Sequence, residues 1–146
     1  MTLLLAGDLG GTKTLLALYR SDGSQLQCIA RENYQSAEWS DLTPMLAHFL
    51  KAHGQPGQRP SAGCIAVAGP VRQGQARITN LPWTLNASAL AANLELPQLA
   101  PANDFAVLVY GLPHLSESQQ VVLQHGATDP EGPIAILGAG TGLGMA

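Results

Sequence analysis

Apolar positions fall in short runs punctuated by glycine, and the spacing inside each run indicates the element it forms. Residues 2–8, TLLLAGD, and 13–20, KTLLALYR, are two such runs, and SDG at 21–23 turns the chain into a third, SQLQCIARENY. Three β-favouring runs joined by two tight glycine turns predict an antiparallel meander. The period then changes. Leu42, Met45, Leu46, Phe49 and Leu50 recur at i, i+3, i+4, i+7 and i+8, the stripe of an amphipathic helix, with Ser40 as the expected N-cap, Pro44 in the first turn and Gly54 just past the end. That stripe is core. A Pro/Gly-rich loop, GQPGQRPSAG, precedes CIAVAG at 64–69, an unbroken apolar run of the kind found in a strand covered on both faces. Beyond it the pattern predicts a hairpin containing Gly74, a helix over 86–94, a short strand near Leu99 and a helix beginning around Asp104. QVVLQHG at 120–126 and PIAILGAG at 133–140 are two further strand candidates, and no solenoid-like repeat or low-complexity tract interrupts the chain.

Composition narrows the class of partner. The 146 residues suffice for roughly one typical domain, and 46% are hydrophobic while only 12% are charged, about half the usual charged share. The chain is therefore expected to be globular. A net charge of −3 without any run of Lys or Arg argues against a nucleic-acid or anionic-membrane surface and favours small-molecule partners. The apolar runs are far shorter than the roughly 18 to 20 residues of a spanning helix, and MTLLLAGD meets Asp8 too soon for a signal-peptide core, so the expected location is the cytoplasm. Cys28 and Cys64 lack C-x-x-C spacing, which leaves two reduced, mostly buried thiols as the expectation.

The candidate chemistry begins at GDLGGTKTLLAL, residues 7–18. It misses a P-loop because Thr12 stands where glycine should precede Lys13, and it misses the dinucleotide fingerprint because Leu9 replaces the second glycine. In both of those motifs glycines join a strand to a helix; here the residues that follow read as a second strand, so the turn is expected to be a hairpin tip. At such a tip Gly10 and Gly11 can bring bare backbone N–H groups to phosphate oxygens, because no Cβ intervenes and unusual φ/ψ are open to them. Thr12 adds a hydroxyl, and Asp8 can hold a phosphate-bound Mg²⁺ directly or through water. The alternative is an ordinary hairpin with Asp8 as turn former. A second cluster, LGAGTGLG at 137–144, also follows an apolar strand, and two such loops suggest a phosphate chain gripped from two sides.

Between the clusters lie TNLPW at 79–83 and NDF at 103–105. An amide beside a carboxylate at a strand end suits a polyhydroxylated ligand: Asn103 offers donor and acceptor, and Asp104 can take a proton from a hydroxyl. The competing role for Asp104 is an N-cap of the next helix. Asn80 is a weaker candidate of the same kind, and Trp83 is expected to be a packed aromatic.

GDLGGTKTLLAL, TNLPW, NDF and GAGTGLG, in this order and at these spacings, closely resemble the bacterial ATP-dependent glucokinases of the hexokinase/actin/Hsp70-like superfamily. The resemblance covers nearly the whole chain. It is closer than that to the ROK sugar kinases, which carry a different glycine loop and a cysteine-rich zinc segment. It implies an α/β fold, a ribonuclease-H-like (actin-like ATPase) lobe with a mixed sheet, plus the beginning of a second similar lobe. Residues 1–112 would be the small lobe and 113–146 the start of the large one. The implied activity is transfer of the γ-phosphoryl group of ATP to the 6-hydroxyl of glucose with Mg²⁺. Carried over position by position, Gly7, Asp8, Leu9, Gly10, Gly11 and Thr12 match the first phosphate segment, and Gly138, Gly140, Thr141 and Gly142, in a run reaching Gly144, match the second. Asn103 matches a sugar ligand, Asp104 the catalytic base, and Asn80 lies in the sugar-side segment. Partners are then glucose and ATP, with neither nucleic acid nor membrane, and a homodimer stays open. Relatives continue well past the glycine loop at which this chain stops, so a truncated chain, inactive by itself, is expected. Three other readings remain: a non-catalytic sugar-sensing relative, another hexose kinase, and an actin/Hsp70-like ATPase module.

Overall fold

The computed structural model describes every residue except 56, 79, 128, 140–142 and 146. The chain divides into two compact units, Met1–Asp104 and Phe105–Ala146.

In the first unit the expected meander forms. β1 (Thr2–Leu9) pairs antiparallel with β2 (Lys13–Ser21), with Leu9 opposite Thr14, and β2 pairs antiparallel with β3 (Leu26–Gln35). The second turn is closed by Asp22, whose Oδ1 accepts the N–H groups of Ser24 and Gln25 at 2.8 Å, while Gly23 takes a φ of +96°. α1 (Leu42–His53) follows, burying Leu42, Met45, Leu46 and Phe49 as its periodicity requires. Its N-cap is Asp41, whose side chain accepts from the Thr43 N–H, and not Ser40 as expected from sequence. Both residues are good caps by type; the helix begins at Leu42, which puts Asp41 at the capping position.

β4 (Ala62–Val67) runs parallel to β1. β5 (Val71–Arg72), β6 (Gln75–Arg77) and β7 (Thr84–Asn86) then form a small antiparallel sheet. The β5–β6 turn has positive φ at both Gln73 and Gly74, the signature of a two-residue hairpin whose twist matches its strands. α2 (Ala87–Asn93) is capped by Asn86, which accepts from the Ala89 N–H at 3.1 Å, and β8 (Leu99–Asn103) returns parallel to β4. The main sheet has the order β3-β2-β1-β4-β8, two antiparallel strands beside three parallel ones, which is the mixed sheet the family resemblance implies.

Register explains which face is core. Leu5, Leu9, Leu16, Leu18, Ile65, Val67 and Leu99 project to one side of this sheet and join Met45, Leu46, Phe49, Trp83 and Leu85 in a single cluster. Gly7 lies on the same face within β1, where a Cβ would come 2.6 Å from Ile65 Cδ1, so the missing side chain makes room for its neighbour. Cys64 is partly buried and Cys28 is exposed, correcting the expectation of two mostly buried thiols. β3 is an edge strand, and residues 26–28 near its start extend into solvent.

The second unit is sparser. After turns at 104–107 comes a four-residue helix, α3 (Leu108–Gly111), in place of the longer helix expected from Asp104. Two short 3-10 turns, Leu112–His114 and Glu117–Gln119, follow. Residues 120–126 are irregular, so QVVLQHG is not a strand, and among the described residues of the PIAILGAG run only Leu137–Ala139 is. That strand, β9, pairs antiparallel with β10 (Leu143–Met145). Among the described residues no helix is long and apolar enough to cross a membrane.

Candidate active site

Three parallel strands end on the same edge of the main sheet, with Leu9, Val67 and Asn103 in register. In open α/β sheets ligands bind beyond the carboxyl ends of such strands. Here that edge gathers most of the candidate residues of the first unit. The Asp104 N–H donates to the Val67 carbonyl at 2.9 Å, continuing the ladder one residue past β8. Asn103 Nδ2 donates to the Gly69 carbonyl and to Asp104 Oδ1, both at 3.1 Å. Gly69, at a φ of +151°, sits in a backbone region that favours glycine and presents that carbonyl just past β4. The amide thus ties two strand ends together and orients the neighbouring carboxylate.

Asp8, one residue before the end of β1, is exposed, yet its carboxyl pKa is raised above the ordinary value. Partial burial of the carboxylate is the larger cause and the negative charge of Asp104 the second. The two carboxylates therefore feel one another across the strand ends. A divalent cation would relieve that repulsion, and Asp8 can supply one oxygen ligand to it. The described residues contain no group of three or more His, Cys, Asp or Glu able to hold a metal alone. A single carboxylate with phosphate oxygens completing the shell would be compatible with Mg²⁺.

The first glycine cluster is a hairpin tip, as expected. The Gly10 N–H donates to the Lys13 carbonyl at 3.0 Å, leaving Gly11 and Thr12 as the turn. The unusual backbone angles expected of these glycines are not what the tip uses. Positive φ among the described glycines occurs at Gly23, Gly57, Gly69 and Gly74, not at Gly10 or Gly11. What the tip requires is space: a Cβ on Gly10 would lie 2.7 Å from the Lys13 carbonyl oxygen, and one on Gly11 would lie 2.6 Å from Asn80 Cβ. The second contact brings GDLGGT and TNLPW together. Asn80 packs on the tip backbone, while Trp83 is buried in the core. Thr79, from the same segment, lies outside the described residues. Leu9 can offer only its backbone, because its side chain is buried, and Gly7 sits further back in the sheet.

Two residues that sequence reading missed hold this tip. Thr14 and Ser36 are fully buried, their hydroxyl oxygens 3.0 Å apart, and Ser36 Oγ donates to the Gly10 carbonyl at 2.9 Å. The Ser36 N–H also donates to the Thr12 carbonyl at 2.9 Å. The available signal was Thr14, a polar residue at a position whose alternation with Leu16 and Leu18 puts it on the core face.

The described residues of the second glycine cluster lie on two antiparallel strands. Gly138 and Gly144 face each other across β9 and β10, and a Cβ on either would lie within 2.8 Å of the Phe105 ring. These two glycines make a flat seat for the aromatic of NDF. Gly140, Thr141 and Gly142 lie outside the described residues.

A groove of about 450 Å³ between the C-terminal ends of α1 and α2 contains none of the candidate residues; Lys51, Arg59 and Glu95 are among its lining, and Arg59 is ion-paired with Glu95.

Comparison with known proteins finds similar sequences and similar structures. The chain is 48% identical over 146 residues to a glucokinase of Nostoc sp., covering 99% of this chain and 42% of that protein. It spans somewhat under half the length of the curated relatives it matches. Among solved structures, a glucokinase from an Antarctic psychrotroph superposes with a TM-score of 0.88 at 32% identity, covering 99% of this chain and 45% of that one. The glucokinase of Balamuthia mandrillaris in complex with glucose shares the fold, with a TM-score of 0.64 at 24% identity over 99% of this chain and 43% of that one. The glucokinase family model matches residues 5–146, and with that match over nearly its whole length the chain belongs to the glucokinase family.

Proposed function

We propose that this chain is the N-terminal part of an ATP-dependent glucokinase, which transfers the γ-phosphoryl group of ATP to the 6-hydroxyl of glucose. The observation that carries this reading is the edge on which Asp8, the Gly10–Thr12 tip, Asn80 and the bonded Asn103–Asp104 pair lie, in a chain of that family. Asp104 is the base. It takes the proton of the sugar hydroxyl as that oxygen bonds to the γ-phosphorus, and the bond from that phosphorus to the oxygen bridging the β-phosphate breaks, releasing ADP. General-base assistance of this kind contributes roughly 10²- to 10⁴-fold. Positioning and charge neutralisation supply most of the rest.

Asn103, Asp104 and Asn80 hold the sugar. Gly7, Asp8, Leu9, Gly10, Gly11 and Thr12 form the first phosphate segment; Gly138, Gly140, Thr141 and Gly142 belong to the second. Asp8 would hold Mg²⁺, directly or through water, and the ion when bound would offset phosphate charge. In this reading residues 1–112 belong to the smaller lobe and 113–146 open the larger one, and the enzyme works in the cytoplasm.

The test is Asp104→Asn in the full-length enzyme. It keeps the shape of the side chain and an acceptor oxygen but removes the basic carboxylate. Turnover in a coupled glucose 6-phosphate assay should fall at least about 10²-fold, while the melting temperature and glucose affinity stay near wild type. An active Asp104→Asn enzyme ends the assignment of the base. Glucose binding without turnover in the unaltered protein would instead make it a sugar-sensing relative.

A further inference from the structure

We propose that the buried hydroxyls of Ser36 and Thr14 are positioning groups for the phosphates of the nucleotide, fixing the Gly10–Gly11 peptide so that its N–H is aimed out of the fold. The inference rests on the reading of residues 7–12 as the first phosphate segment, and it assigns work to two residues outside that segment.

Proton counting gives the network a direction. Ser36 has one hydroxyl proton, and it is committed to the Gly10 carbonyl. The 3.0 Å bond between the two hydroxyls must then be donated by Thr14, so the chain runs from Thr14 to Ser36 to the Gly10 carbonyl. A peptide unit is planar and trans, with its C=O and N–H pointing in opposite directions. Holding the Gly10 oxygen inward against a fully buried serine therefore turns the Gly11 N–H of the same peptide outward. Successive hydrogen bonds in a chain polarise one another, so the Gly11 N–H also becomes a stronger donor to an anionic oxygen.

Ser36 grips the tip on both sides. Its hydroxyl holds the Gly10 carbonyl and its own N–H holds the Thr12 carbonyl, while the Gly10 N–H closes on Lys13. Ser36 is itself fixed at the start of the 3-10 turn Ser36–Glu38, where its carbonyl accepts from the Trp39 N–H. A core position that needed only filling would take alanine or valine without desolvating a hydroxyl. Thr14 and Ser36 are the fully buried polar residues among those described, and both serve the one hairpin.

The test compares Ser36→Ala with Gly11→Ala in the full-length enzyme by calorimetry with ATP, inorganic tripolyphosphate, adenosine and glucose. Loss of alignment at one charge-assisted hydrogen bond should weaken ATP and tripolyphosphate about tenfold in folded Ser36→Ala, leaving adenosine and glucose unchanged. Unchanged ATP affinity, or equal losses for ATP and glucose, overturns the proposal. Gly11→Ala separates this failure from failure of the underlying reading. Its Cβ must push against Asn80, so wild-type ATP affinity in that variant would mean that the hairpin does not hold phosphate at all. Weakened ATP in Gly11→Ala alone would leave the phosphate segment standing and remove only Ser36 from it. If Ser36→Ala does not fold, Thr14→Val, which conserves shape and removes only the first donor of the chain, is read in the same way with an expected loss of about threefold.

Discussion

The carboxylates of Asp8 and Glu32 are shifted in opposite directions, and their effects on stability should cross with pH. Burial, and then the charge of Asp104, raises the Asp8 pKa, so the folded chain holds that proton more tightly than the unfolded one. Its penalty is absent below the ordinary carboxylate value, grows as pH rises through the raised pKa, and is complete above it. Glu32 is lowered, first by its hydrogen bond with His53 and then by that with Tyr34; the Tyr34 hydroxyl donates to Oε2 at 2.8 Å, and His53 Nε2 lies 2.7 Å from the same oxygen. Its stabilisation is present above the ordinary glutamate value and lost as pH falls through the lowered pKa. Thermal melts across pH should therefore show Asp8→Asn melting above wild type at neutral pH and Glu32→Gln below it, with both differences shrinking in acid. An Asp8→Asn protein that melts lower at neutral pH would mean that the carboxylate is not under repulsion. At this scale the sequence showed which residues are chemically suited to the site but not how they are held. Asn103 and Asp104 were legible as an amide and a carboxylate at a strand end. Ser36 was not, because a serine after a strand reads as a solvated turn, and its burial depends on a glycine tip 26 residues away.

Elements whose signal is local were the most legible; of those that depend on a distant partner, β4 and β8 were legible from their apolar runs and others were not. The β1–β3 meander and α1 follow from alternation, turn chemistry and a helical stripe that any core would accept. The choice between Ser40 and Asp41 as cap is a one-residue question that periodicity does not resolve, and it has a direct test. Asp41→Ala should cost about 0.5 to 2 kcal/mol in denaturant unfolding, while Ser40→Ala should stay within roughly 0.5 kcal/mol of wild type. Equal losses would place the cap elsewhere. QVVLQHG misled for a different reason. Its residues favour strands, but a strand persists only when paired and packed, and 120–126 pair with no other strand among the described residues. The strand in PIAILGAG was expected from its apolar run, and only its last part is realised, where Gly138 can face Gly144 beneath the Phe105 ring.

For the whole molecule, the distribution of burial is the physical fact that sets behaviour. Every buried hydrophobic residue among those described lies at or before Leu99, so the first unit holds the core. The second unit instead exposes Leu108, Val109 and Tyr110, and the run Val121, Val122 and Leu123 is 84%, 65% and 95% exposed. Exposed apolar surface of that extent favours self-association, and backbone without a buried core opens at little cost in free energy. Limited proteolysis of this 146-residue chain should therefore cut first within 105–146 and leave a resistant product ending near Asp104, identified by mass spectrometry. The same product should melt within a few degrees of the uncut chain, because it keeps every buried hydrophobic contact of the core cluster. Light scattering should in parallel show the uncut chain associating as its concentration rises, and Val122→Ser with Leu123→Ser should reduce that association. First cleavage inside α1 or β4, or a clear drop in melting temperature on trimming, would mean that residues 105–146 contribute to the stability of the first unit.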